Sequence, residues 1–158
     1  MPALNYLRTR PEIDAQRIIL AGQSAGGYSI MHIASTNPPG VIGAVNFAGG
    51  RTDFTRSQAA SPLNKMMVSG FEAFGKTSRV PTLWVFAEND SRYTADTIRA
   101  SYAAFVKAGG VGRLVLSPPI AGDGHFIHNR PEFWRDALKH FVSDIGVLKE
   151  RGNAGAAK

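Results

Sequence analysis

The sequence predicts an α/β fold in which a parallel sheet carries helices on both faces. Three observations lead there. Four short apolar runs alternate with longer segments whose apolar residues recur every three or four positions. The runs are apolar at consecutive positions, which is how strands read when both faces of a sheet are covered. Finally, 44% of the 158 residues are hydrophobic and 19% are charged. The charged share is below the usual ~25%, so the chain buries much of itself.

The elements follow in order. Leu4 and Leu7 lie on a short leading helix that ends near Pro11. The first strand is the run at 17–22, and a helix over 24–36 follows it, stopped by Asn37-Pro38-Pro39-Gly40. The second strand is 41–47. Leu63, Met66, Met67, Gly70, Phe71 and Phe74 then form a helical stripe. After the third strand, 82–87, Ile98, Tyr102 and Phe105 mark a helix that Gly109 terminates. The fourth strand is 113–116. Pro131 suits the first turn of a last helix, with Trp134, Leu138, Phe141, Ile145 and Leu148 in one stripe. Such stripes read as core. The last residues have nothing to bury, so 149–158 is expected to be a disordered tail on a single unit at 1–148. Parallel strands joined by helices need right-handed crossovers, and function then collects at the carboxyl ends of the strands.

Composition also narrows the function. The absence of cysteine excludes a disulfide framework, a thiolate metal site and a cysteine nucleophile. No apolar run approaches the ~18–20 residues of a membrane span, and no membrane partner is expected. The net charge is +6, but the 18 Lys and Arg never form a block and do not interleave with aromatic residues. That speaks for solubility and against a nucleic acid partner. No metal and no cofactor are expected. Residues 1–8 do not read as a signal peptide, so the chain as written suggests the cytoplasm. A longer form could equally be secreted or periplasmic, and the compartment is left open.

Three strand ends carry chemistry. The first runs into Gly22-Gln23-Ser24-Ala25-Gly26-Gly27 and then directly into a helix. G-x-S-x-G in a strand–turn–helix setting lifts a serine hydroxyl above the sheet on a strained turn, at a cost of order 1–3 kcal/mol. The flanking glycines are expected to be needed where strand and helix pass close. The Ala25 N–H, at the helix start, would face the oxygen of an attacked carbonyl. The competing reading is a Gly-rich turn for phosphate, but the P-loop lysine and the full G-x-G-x-x-G spacing are missing. The third strand ends in Ala87-Glu88-Asn89-Asp90, where Asp90, with Glu88 second, could orient a histidine. A capping or turn aspartate is the alternative there. After the fourth strand, the glycines around His125 predict a mobile, exposed loop that could swing the imidazole over Ser24. His128 is the second candidate, while His32 and His140 lie inside helices and read as structural. Ser24, Asp90 and His125 follow different strands in the chain order Ser…Asp…His. In that order His125 would take and return the serine proton, and Asp90 would fix its tautomer. Gln23 and Arg51, the latter just after Gly49-Gly50, are candidate substrate-binding residues. The helix at 63–74 is either a small lid over an acyl pocket or a plain crossover.

Together these segments resemble the C-terminal part of an α/β-hydrolase, in the dienelactone hydrolase-like and prolyl oligopeptidase-like esterase group. The resemblance runs over residues 3–141. It is carried by Arg10-Pro11-Glu12-Ile13-Asp14, the Gly22–Gly27 turn, Asn46-Phe47-Ala48-Gly49-Gly50-Arg51, Val80-Pro81-Thr82-Leu83-Trp84, Glu88-Asn89-Asp90 and Gly122-Asp123-Gly124-His125. It implies Ser24 as nucleophile, Asp90 as acid and His125 as base, acting on a small carboxylic ester through an acyl-enzyme. Dienelactone hydrolases carry cysteine at the nucleophile position, so the serine favours another ester. The family also carries four further strands before the leading helix, and a His-Gly-Gly loop that supplies a second oxyanion donor. Nothing here matches them. The expectation is therefore an α/β-hydrolase fold without its N-terminal strands. Lack of one oxyanion donor would cost ~10²–10³ in rate. The first strand would be an open apolar edge, through which the chain could form a homo-oligomer. The competing reading is an inactive truncated fragment or a self-associating half-domain.

Overall fold

Strands β1 (Ile18–Gln23), β2 (Val41–Phe47), β3 (Thr82–Ala87) and β4 (Gly112–Ser117) form one parallel sheet in the order 1-2-3-4. The architecture comes from a computed structural model, which describes residues 2–51 and 62–147, the side chains of Pro62 and Leu63 excepted. The helices are α1 (Pro2–Arg8), α2 (Ala25–Ser35), α3 (Pro62–Thr77), α4 (Ala95–Lys107) and α5 (Arg135–Asp144), with 3-10 segments at Gly124–Asn129 and Pro131–Phe133. The strand limits lie within a residue of those the apolar runs predict. Leu148 and the expected tail at 149–158 lie outside the described residues, as does the side chain of Leu63.

Strand order settles which helices share a face. The order never reverses, so right-handed crossovers put α2, α3 and α4 on one side of the sheet. The side chains agree. On β2, Asn46 lies against Gly27 of α2, while Gly43 lies under Phe141 and Ile145 at the other end of the chain. Phe47 meets Trp134 edge-on at 5.0 Å between ring centroids, on the same face as Gly43. This is the alternation that a strand imposes. On β3, Trp84 points to the crossover side, 4.5 Å from the Phe71 ring of α3 and 5.4 Å from the Phe105 ring of α4. Its indole N–H donates to Thr82 Oγ1 at 3.0 Å, so this buried tryptophan leaves no polar group unpaired.

The sheet is unevenly covered. All six residues of β3 are buried. In β1 only Ile18 is buried, Ala21 is exposed, and among the described residues the strand pairs with β2 alone.

The last helix differs from the sequence reading. The expected single helix from Pro131 is a 3-10 turn, a break at Trp134 (φ −137°) and then α5. Trp134 swings out of the helical path to reach Phe47 with its ring and the Ile127 carbonyl with its N–H, at 3.0 Å. Those tertiary contacts outweigh the local preference to continue the helix. Beyond α5, the Arg17 guanidinium donates to the carbonyls of Gly146 and Val147 at 2.6 Å each. That is a favourable place for a cation, at a helix carboxyl end.

Candidate active site

Ser24 sits between β1 and α2 with φ 55° and ψ −127°. A positive φ at a residue with a side chain is strained, by about 1–3 kcal/mol, and must be held from outside. Main-chain bonds hold it. The Ser24 N–H donates to the Phe47 carbonyl at 3.0 Å, and its own carbonyl accepts from Tyr28 at 3.1 Å and Gly50 at 3.3 Å. The end of β2 thus grips the turn from both sides. Ser24 makes no side-chain capping bond to α2, so its hydroxyl is left for other work. Ala25 opens α2, and its N–H belongs to the first turn, which has no intrahelical acceptor.

The glycines of the turn are not equivalent. A Cβ on Gly22 would lie 2.5 Å from the Gly26 carbonyl oxygen, and one on Gly27 would collide with the Asn46 side-chain oxygen and with Gly49. A Cβ on Gly26 would meet nothing within 4 Å. The expectation that both motif glycines are sterically required is therefore corrected. The first turn of α2 rotates Gly26 away from the sheet and presses Gly27 onto β2 instead.

Asp90, in the turn after β3, is buried. Its Oδ1 accepts the N–H groups of Arg92 at 2.7 Å and Tyr93 at 3.2 Å. His125 Nδ1 lies 3.1 and 3.2 Å from the two carboxylate oxygens, and His125 Nε2 lies 2.9 Å from Ser24 Oγ. The structure thus brings the three sequence candidates together in one continuous path. A proton on Nδ1, facing Asp90, leaves Nε2 free to accept from the serine. Glu88, the second acid candidate, instead pairs with Arg99 at 2.8 Å.

The segment carrying His125 is not the mobile, exposed loop expected from its glycines. It is a 3-10 turn, and His125 is 5% exposed. Asn89 explains part of this. Its amide donates to the carbonyls of Ile120 and Gly122 at 2.9 Å each, and its side-chain oxygen accepts from the Ile120 N–H at 3.0 Å. Asp123 supplies the rest. Its carboxylate accepts from the N–H groups of His125 at 2.9 Å and Ser91 at 3.0 Å, and from the Ser91 hydroxyl. Partial burial raises the Asp123 carboxyl, but the Ser91 hydroxyl and these two N–H groups outweigh it and hold it below the ordinary carboxylate range. Gly124 allows the closest approach, since a Cβ there would lie 2.7 Å from the Asp90 nitrogen. Gln23 also serves this segment, donating to the His125 carbonyl at 3.2 Å.

Sequence reasoning missed Asn89, Ser91 and Asp123 as the parts that set the geometry. The signal was present in outline: Asp123 stands two residues before His125, where a carboxylate caps a short turn. It also missed Tyr93, which is fully buried with its ring 5.8 Å from that of His125, edge-on. Burial first, and the Asp90 charge second, raise its phenol far above the ordinary range, while Arg92 and the Ser24 side chain act in the opposite sense. The other candidates stand apart. Arg51 is exposed, with its guanidinium 5.9 Å from the Tyr28 ring centre. His128 follows in the same turn, but its neighbour is the Phe126 ring at 6.3 Å. His32 is exposed on α2 beside Phe74, and His140 is exposed on α5. Among the described residues, no group of three or more His, Asp or Glu side chains is placed to hold a metal ion.

No protein-family model matches the chain, and no curated protein does. Solved structures do. An esterase from Pyrococcus furiosus superposes with a TM-score of 0.67 at 14% identity, over 90% of this chain and 59% of that one. A protein described as a dienelactone hydrolase from Klebsiella pneumoniae gives 0.63 at 18% identity, over 90% of this chain and 57% of that one. An acylaminoacyl peptidase from Pyrococcus horikoshii gives 0.63 at 16% identity, over 97% of this chain and 27% of that one. The chain therefore spans a little over half the length of the first two and about a quarter of the third. At such identities the likeness is one of architecture. With four parallel strands, flanking helices and these neighbours, the chain has the α/β-hydrolase fold.

Proposed function

We propose that the chain is a serine hydrolase that cleaves carboxylic esters through an acyl-enzyme intermediate. The observation that carries this reading is the unbroken path from Ser24 Oγ through His125 to the buried Asp90 carboxylate. Each residue has one task. Ser24 passes its proton to His125 Nε2 and attacks the ester carbon. Asp90 holds the ring and stabilises the charge the ring acquires. His125 then returns the proton to the departing alkoxide, and a water molecule repeats the cycle on the acyl-enzyme. The Ala25 N–H faces the oxygen on which negative charge builds. Esters fit better than amides because an alkoxide leaves more readily than an amine. Gln23 is occupied by the His125 carbonyl, so Arg51 is the better of the two for reaching an acidic group on the substrate.

The deciding experiment combines a fluorophosphonate probe with hydrolysis of p-nitrophenyl acetate. The wild-type chain should take the label and turn over the ester, and Ser24→Ala should do neither. A folded wild-type chain that takes no label would overturn the reading.

A second reading has one observation in its favour. Among the described residues β1, the strand that leads into Ser24, is paired on one side only, and it is half exposed. We propose that this edge lets the chain self-associate. A lysine in place of the exposed Ala21 should then shift the chain to smaller species on a sizing column. A monomer at all concentrations would overturn the edge reading.

A further inference from the structure

The acid–base path leaves the buried Tyr93 phenol unused. Tyr93 is 0% exposed, and its hydroxyl has no hydrogen-bond partner among the described residues. The Ser24 hydroxyl lies near enough to perturb the phenol, yet the two form no hydrogen bond of normal geometry. The ring is fixed from two sides: His125 lies edge-on, and a Cβ on Gly50 would sit 2.8 Å from Tyr93 Cζ. The same Gly50 donates its N–H to the Ser24 carbonyl, so the nucleophile turn and the phenol share one wall. A buried O–H without an acceptor is unfavourable, and native structures keep few of them. One placed beside a nucleophile is poised for an acceptor that appears during the reaction.

We propose that Tyr93 is a catalytic residue whose O–H donates to Ser24 Oγ as the serine proton moves to His125. The inference rests on the serine hydrolase reading. At rest, Oγ is nearly neutral and its proton faces Nε2. As that proton leaves, charge grows on Oγ, and a donor within reach becomes a charge-assisted hydrogen bond. The proton balance is simple: one proton passes from Oγ to Nε2, and the Tyr93 proton stays on its own oxygen throughout. Burial and the Asp90 charge both oppose ionisation of the phenol, so it remains a donor. Asp90 would then steady the histidine side of the transfer and Tyr93 the oxygen side.

The test compares the wild-type chain with Tyr93→Phe, which keeps the ring. The rate of fluorophosphonate labelling is measured against probe concentration, and thermal unfolding is measured on the same samples. The limiting labelling rate should fall about 10- to 100-fold, as for loss of a donor to a charged oxygen. The half-saturating probe concentration should not change, and the melting temperature should hold or rise, because the variant deletes an unpartnered polar atom. Equal labelling rates would overturn the inference. A joint fall in rate and melting temperature would assign Tyr93 to packing and overturn it too. A wild-type chain that takes no label would instead overturn the hydrolase reading itself, and the tyrosine role with it.

Discussion

Asp90 and His125 reach the site from the β3–β4 side of the sheet, and Ser24 reaches it from β1. On the first side, every residue of β3 is buried, and the two loops beyond β3 and β4 are tied to each other through Asn89, Ser91 and Asp123. On the second, β1 is paired only with β2 among the described residues, and the turn is held by main-chain bonds from the end of β2. The two sides show two ways of fixing a side chain of the candidate site. The histidine is positioned by side-chain hydrogen bonds between loops, beyond a strand that is buried along its whole length. The serine is positioned by backbone strain and by the absence of side chains at Gly22 and Gly27. Damage to the first side should lower the rate together with stability at neutral pH. Damage to the second should appear first as lost stability.

The largest expected effect is on the first side. Asp90→Asn should lower ester turnover by about 10⁴-fold, because the amide would favour the wrong tautomer of His125. Glu88→Gln, four-tenths exposed and paired with Arg99, should leave turnover unchanged. Steady-state kinetics on the two variants separates the neighbouring carboxylates. Asn89→Ala removes three hydrogen bonds between the loops and should cost about 2–3 kcal/mol in urea unfolding, with reduced turnover. On the second side, Gly22→Ala should cost about 1–3 kcal/mol, since its methyl has no room beside the Gly26 carbonyl. Gly26→Ala should stabilise the chain by about 0.5–1 kcal/mol, because the site is open and alanine is the better helix former. If both glycine variants behaved alike in thermal unfolding, the asymmetry of the turn would be wrong.

The smallest effect concerns pH. The Asp123 carboxyl is held below its ordinary value of 3.8 in the folded chain. A depressed carboxylate contributes its stability fully above the ordinary value and loses it as pH falls through the lowered one. Asp123→Asn should therefore be less stable than wild type by a constant margin from neutral pH to about pH 5, and the gap should close in more acid solution. Urea midpoints at pH 7 and pH 3 check the sign. A gap that widens in acid would contradict it.

Much of this was legible in the residues. Consecutive apolar runs marked the four strands to within a residue, because burial on both faces leaves that imprint whatever the partners are. Ser24, Asp90 and His125 could be named because each follows a strand in a fixed order. The choice of Asp90 over Glu88 could not be closed, since both stand at the same strand end. Only the fold turns one carboxylate inward onto two backbone N–H groups and the other outward onto Arg99. The glycines around His125 suggested motion for a related reason. Local sequence registers conformational freedom, but the bonds that remove it come from Asn89, more than thirty residues earlier.

By itself, then, the sequence determined the order and type of the elements, and which residue types stand at the carboxyl ends of the strands. Hydrophobic period and turn chemistry are local, and they can be read without knowing the fold. Only the tertiary structure decided that Gly27 rather than Gly26 is the tight glycine, and that Trp134 breaks the last helix to reach Phe47. It alone decided, too, that the Tyr93 hydroxyl is buried beside Ser24 with no hydrogen-bond partner among the described residues. Each of these depends on which distant atoms meet, and no local pattern in the chain encodes that.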